Sequence, residues 1–162
     1  DIVCRSLRVV QSNGKSAVMI GSSELGGRIR VHGKNGKVTT SISRSDDGTG
    51  HLVNFSPSEQ LVSLLGGTNN DGGILVTYSS SGKRLVVLRS SGSGTNNDGG
   101  MLTTYSQSGK PLIGLGATTG GGLLVVSNKT GEGIVTLAAD DYGNGTVGAW
   151  NRKGKGRTLT PQ

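Results

Sequence analysis

One segment occurs twice in close succession: Gly67–Lys83 reads GTNNDGGILVTYSSSGK and Gly94–Lys110 reads GTNNDGGMLTTYSQSGK, identical at 14 of 17 positions. An internal period constrains the fold strongly, because every copy must adopt the same local structure and neighbouring copies must supply one another's core. With the glycine of each Gly-Lys turn as origin, the anchors are Gly14, Gly36, Glu59, Gly82, Gly109, Gly131 and Gly154, spaced 22, 23, 23, 27, 22 and 23 residues apart. Glu59 is a degenerate copy, in SEQ, and the long interval holds the insertion Ser90–Gly94.

Aligned columns follow. Seven residues before the origin stand Leu7, Ile29, Leu52, Leu75, Leu102, Leu124 and Val147. Six after it stand Ile20, Ile42, Leu65, Leu88, Leu115 and Leu137. A weaker apolar column, four after, has Thr40 and Ser63 as exceptions, and glycine fills the position nine before in six of seven copies. The Asn-Gly and Ser-Gly turns tolerate positive φ and flank short runs, so each repeat reads as two strands and a tight turn. In Arg28-Ile29-Arg30-Val31-His32 polar and apolar residues alternate, the period of a strand with one buried and one wet face. No segment carries a 3.6-residue apolar period. The pattern predicts a single all-β domain over 1–162 with about 13 strands, a lead-in at 1–4 and a basic tail at 151–162, the seventh repeat lacking a second strand.

Such strands make a thin core. Hydrophobic residues are 31% of the chain, against roughly 45–50% for a typical globular domain. Burying one Leu or Ile contributes roughly 1.5–3 kcal/mol, and ordering one residue costs about 1.5 kcal/mol. One or two inward side chains per strand barely offset that. The single cysteine, Cys4, allows no intrachain disulfide; it is expected to be an inert thiol or an intersubunit bridge. The remaining remedies are oligomerisation, giving a trimeric β-helix or β-prism, or closure of the repeats into a monomeric β-solenoid. A propeller blade needs about 40 residues, which this period does not supply.

The pattern G-G-x-L-x-V-x-N-x-x-G-K, best seen in Gly121–Ala139 and in the tail Asp140–Leu159, resembles the short glycine-rich β-repeat of uncharacterised bacterial proteins, often exported or surface-associated. In style the chain is also similar to the trimeric β-helix modules of phage tail fibres and needles. These resemblances imply a rigid, trimeric structural module at the cell surface or outside the cell, and carry no catalytic residues.

Candidate sites are few. Four residues before the origin stand His32, Phe55, Tyr78, Tyr105 and Trp150, a column that either packs the core edge or forms a sugar-stacking strip. Arg152, Lys153, Lys155 and Arg157 crowd the tail, and the net charge of +7 suits a polyanion, with a glycan ahead of nucleic acid. Lysine recurs one residue after the origin, at Lys15, Lys37, Lys83, Lys110 and Lys155, and seven of ten carboxylates fall in the opposite loops. Stacked repeats would therefore carry a basic and an acidic ridge. Asp71 and Asp98, in the NNDGG loops, read as turn residues before they read as a weak cation site. Asp46/Asp47 and Asp140/Asp141 are the only paired acids suited to a glycan hydrolase, and the platform aromatics such a cleft needs are scarce. No cofactor or zinc-ligand pattern is present, and no apolar run approaches membrane-spanning length. The expected function is a non-enzymatic structural or adhesive surface or fibre module, a homo-oligomer without membrane insertion. The alternative is a carbohydrate- or polyanion-binding module using the aromatic column and the tail.

Overall fold

A computed structural model describes residues 4–68, 72–90 and 99–160. The chain is all-β and divides into two compact units, Asp1–Gly82 and Lys83–Gln162. The first unit contains β1 (Leu7–Val10), β2 (Ser16–Ser23), β3 (Gly26–His32), β4 (Val38–Arg44), β5 (Gly50–Phe55), β6 (Leu61–Gly67) and β7 (Gly73–Tyr78). The second contains β8 (Arg84–Ser90), β9 (Gly100–Tyr105), β10 (Pro111–Thr118), β11 (Gly121–Ser127), β12 (Gly133–Ala139), β13 (Gly145–Trp150) and β14 (Gly156–Leu159). In each unit every strand pairs antiparallel with the next in an open meander, a succession of hairpins consistent with a solenoid-like arrangement of repeats. The seventh repeat does possess a second strand. The four-residue β14, exposed along its length, is held by backbone pairing from Val147↔Leu159 to Trp150↔Gly156 and so leaves little apolar signature in the sequence.

The sequence columns become cross-strand rows. In the first unit Leu7, Ile20, Ile29, Ile42, Leu52, Leu65 and Leu75 are successive partners. In the second the row is Leu88, Leu102, Leu115, Leu124, Leu137, Val147 and Leu159. A one-residue slip would turn a whole strand over, so this row fixes the register. The rows are not buried. Ile29 is 36% exposed, Ile42 46%, Leu65 53% and Leu115 50%. The deeply buried residues lie in the adjacent row on the opposite face: Ser41 and Val76 in the first unit, Val87 and Thr103 in the second. Strand β3 shows the inversion most clearly. Its residues alternate as expected, but Arg28 and Arg30 are half-buried whereas Ile29 and Val31 are exposed. Long side chains explain part of this, since arginine stems can lie across their own face while the guanidinium stays wet.

The better-covered face uses glycine as a seat for larger groups. A Cβ at Gly66 would collide with the His51 ring, and one at Gly148 with the Trp150 indole. On the aliphatic face of the first unit the row beside the Leu and Ile row turns polar from Thr40 through Asn54 and Ser63 to Thr77, and Ser22 and Arg44 also lie on that face by alternation. Thr40 Oγ1 donates to Asn54 Oδ1 (3.0 Å) and Asn54 Nδ2 donates to Ser63 Oγ (2.9 Å), so the two polar exceptions of the weaker column form one hydrogen-bonded rung. The chain exposes 11177 Å², about 1.5 times the roughly 7,500 Å² expected of a folded monomer of this mass.

Most of the turns share one design, the two-residue β2–β3 and β10–β11 connections apart. Gln11 N–H donates to the Lys15 carbonyl (2.8 Å) and Gly14 N–H to the Gln11 carbonyl (2.9 Å), with Gly14 at φ 78°. This is a type I turn followed by a left-handed residue, the common three-residue hairpin. The degenerate turn keeps the geometry: Glu59 N–H bonds the Ser56 carbonyl (2.9 Å), and Glu59 takes φ 65°, the one described non-glycine residue in that region. Left-handed backbone costs an L-residue roughly 1–2 kcal/mol. Glu59→Gly is therefore expected to raise stability by up to about 1 kcal/mol after loss of its exposed ion pair and gain in unfolded-chain entropy. Gly109→Ala, at φ 81° with open space around the added methyl, is expected to lower stability by about 1–2 kcal/mol. Urea denaturation of the two variants measures both signs.

Candidate functional site

The aromatic column forms a row beside the Gly-Lys turns. His32, Phe55 and Tyr78 end β3, β5 and β7; Tyr105 and Trp150 end β9 and β13. Two-residue alternation puts Tyr78 on the face of buried Val76, Tyr105 on that of Thr103, and Trp150 on that of Gly148. All five are half-buried, and members of the column within a unit stand on alternate strands or further apart, two strand spacings being about 9.6 Å. The Trp150 ring is also close enough to Gly156 to exclude a Cβ there, so it roofs the β13–β14 hairpin. His32 Nδ1 is buried and has no hydrogen-bond partner. The row thus covers the edge of the more buried face, with part of each ring left open.

The basic tail is separate from this row. Arg152, Lys153 and Lys155 lie in the β13–β14 turn, where Asn151 Oδ1 accepts from the backbone N–H of Lys153 (2.9 Å) and Lys155 (3.1 Å). Arg157 pairs with Ala149 and Trp150 with Gly156, so Arg157 and Trp150 project from opposite faces of the hairpin. All four basic residues are exposed. The structure does not bring them and the aromatic row into one cleft.

The recurrent lysines act between turns. Lys15 Nζ donates to the Asn35 carbonyl of the next turn (3.1 Å), and its stem passes over Gly36, where a Cβ would stand 3.2 Å from Cδ. Lys37 Nζ pairs with Glu59 Oε2 of the next turn (3.0 Å). Lys83 Nζ donates to the Gln107 carbonyl (2.9 Å), and the Lys110 stem lies against Gly131. Each of these lysines clasps the following turn, and Glu59, the residue that departs from glycine, is itself the partner of a clasp.

The opposite turns use carboxylates as local acceptors. Asp47 accepts from the Ser45 hydroxyl, from the Thr49 backbone N–H (3.0 Å) and from the Thr49 hydroxyl (2.8 Å). These bonds, that from Ser45 foremost, hold its pKa at about 2. Asp140 accepts from the backbone N–H of Asn144 (2.7 Å) and of Tyr142 (3.0 Å), chiefly the former lowering its pKa. On the Gly-Lys edge itself Glu132, the residue after Gly131, has its pKa lowered first by the Asn128 amide (2.7 Å) and then by the Thr130 hydroxyl (3.0 Å). A carboxyl held ionised in this way is poorly suited to donate a proton near neutral pH. Asp71 and Asp98 lie outside the described residues. Among the described residues no three of His, Cys, Asp and Glu come together as a metal site.

One charged group has no place in the sequence columns as read above. Arg8, Met19 and Arg30 are cross-strand partners, and Gly21 pairs with Arg28 one alternate position along the same face. With Arg5 these arginines line a concavity of about 230 Å³. The signal was present: arginine stands six residues before the origin in both of the first two repeats. No family model and no curated protein sequence matches the chain.

Because the pKa of Asp47 is depressed, its ionised form stabilises the fold above the ordinary carboxylate range, and that contribution is lost as pH falls from about 4 towards 2. Asp47→Ala is expected to be less stable than the parent at pH 7, with the gap closing over that window. Urea midpoints measured between pH 7 and pH 2 check it; a gap independent of pH contradicts the assignment.

Proposed function

We propose that the protein is a non-enzymatic structural or adhesive module that works as a homo-oligomer, with the aliphatic faces of its copies forming a shared core. The observation that carries this reading is the uninterrupted row of half-exposed Leu and Ile side chains along each unit. A sheet with an apolar face gains its stability by covering that face with another layer. Large contiguous apolar surface on a protein of this size marks an interface. A second copy is suited to supply it, because the row is self-similar and presents the same groups at every strand.

Three copies rather than two is the number implied by the resemblance to glycine-rich trimeric shafts, as is a location at the cell surface or outside the cell. In that assembly the Thr40–Asn54–Ser63 rung would meet its counterparts beside the Leu and Ile row, where a hydrogen-bonding rung selects one register over its neighbours. Rigidity within each unit follows from the clasped turns and the strand-to-strand backbone pairing, properties useful in a stalk.

Size-exclusion light scattering is expected to give close to three times the 16.5 kDa chain mass. Leu65→Lys and Leu115→Lys are expected to dissociate the oligomer and to lower the melting temperature as concentration falls. In a monomer any cost of lysine at these half-exposed positions would be independent of protein concentration. A monomer at all concentrations, with both variants as stable as the parent, would sink the reading.

A further inference from the structure

The arginine concavity at the start of the first unit asks for a partner of its own. Arg8 and Arg30 flank Met19 in one cross-strand row, and Arg28 stands in the next row on the same face, opposite Gly21. Arg5, Ser6, Leu7, Ile20 and Ser22 also contribute to the lining, and no carboxylate does. Arg8 is partly engaged: its Nε donates to Ser16 Oγ (2.8 Å) and its Nη2 to the Gly14 carbonyl (3.3 Å). The guanidinium groups of Arg5, Arg28 and Arg30 make no hydrogen bond or ion pair with the described residues. Elsewhere the recurrent cations clasp a neighbouring turn, as Lys15 and Lys37 do, so this cluster departs from the way the chain otherwise uses positive charge.

Like charges gathered on one face repel one another, and the repulsion is relieved when an anion enters. Guanidinium forks bind carboxylate, sulfate or phosphate oxygens in pairs, which makes arginine the residue for fixed anionic groups. The backbone sets the spacing. Arg8 and Arg30 are two strands apart, about 9.6 Å, and Arg28 and Arg30 two residues apart, about 6.7 Å. Those separations exceed the reach of one small anion and suit successive charged groups on an extended chain.

We propose that this concavity binds an acidic polysaccharide, a chain of sulfated or uronic sugars, through Arg8, Arg28 and Arg30. A nucleic acid is less well matched, because the lining contains no aromatic ring on which a base could stack. Gly21 and Ser6 leave a small floor beside the arginines, suited to sugar hydroxyls. The three arginines project from the face opposite the aliphatic row, so the site does not depend on the oligomeric reading.

The full chain is titrated calorimetrically with a heparin hexasaccharide, a polygalacturonate hexasaccharide, a single-stranded DNA 12-mer and inorganic phosphate, at low and at physiological salt. At least one acidic hexasaccharide is expected to bind, more weakly as salt rises, and more tightly than DNA or phosphate. Arg28→Gln/Arg30→Gln is expected to weaken it at least tenfold, and Arg28→Lys/Arg30→Lys, which keeps charge and stem, severalfold. Lys153→Gln/Lys155→Gln is expected to stay within twofold of the parent. Circular dichroism and native mass establish that each variant is folded, and the lysine pair keeps the test open if the glutamine pair is not. No binding of either hexasaccharide, equal affinity in the arginine variants, or DNA binding as tight as the glycan would each overturn the proposal. Native mass, read separately, reports on the oligomer whatever the titrations give.

Discussion

Each unit turns on one row of aliphatic side chains, one per strand, that fixes the register of its hairpins and yet stays half in water. Backbone pairing alone defines a sheet only weakly, since strands can slip by two residues and keep their hydrogen bonds. The Leu and Ile row removes that freedom, because only one alignment puts Leu7, Ile20, Ile29 and Ile42 shoulder to shoulder. The same row leaves a face that water does not favour. Both the repeat register and the exposed apolar face therefore descend from two columns in the sequence, seven before and six after the origin.

The turns complete the account. Type I turns closed by a left-handed residue set the hairpin twist, and glycine fills that position wherever no other interaction compensates. Glu59 is the informative departure, since its carboxylate reaches the lysine of the preceding turn. What looks in sequence like a basic ridge includes turn-to-turn clasps by Lys15, Lys37 and Lys83, whose side chains stay exposed while they bridge. At the other end of the hairpins the carboxylates of Asp47 and Asp140 are spent on backbone and hydroxyl donors of their own turns. The charge left over gathers at the first two repeats and in the exposed tail.

Much of the fold was legible. The seven origins, the two-stranded repeat and the positive-φ turns are all written in local chemistry that acts within about ten residues. What the columns did not reveal was which face is covered. Strict alternation in Arg28-Ile29-Arg30-Val31 gives the period but not the sign, because burial depends on what lies against each face and not on the strand itself. Strand β14 was missed for a related reason: Gly156-Arg157-Thr158-Leu159 has no second inward apolar residue and is held by main-chain bonds. For the site, the aromatic column was visible but its use in covering Gly148 was not, since that depends on a residue with no side chain. The arginine group needed the register of β1, β2 and β3 to bring together positions some 20 residues apart.

The central claim is that the aliphatic row is covered by another copy of the chain. Methyl-labelled Leu, Ile and Val observed by NMR in the presence of a soluble paramagnetic agent reads that covering directly. The account expects the methyls of Ile29, Ile42, Leu65 and Leu115 to be shielded, with relaxation as slow as that of Val76 and Val87. Relaxation as fast as that of an open surface side chain at all four positions would show the row facing water, and the shared core would have to be abandoned.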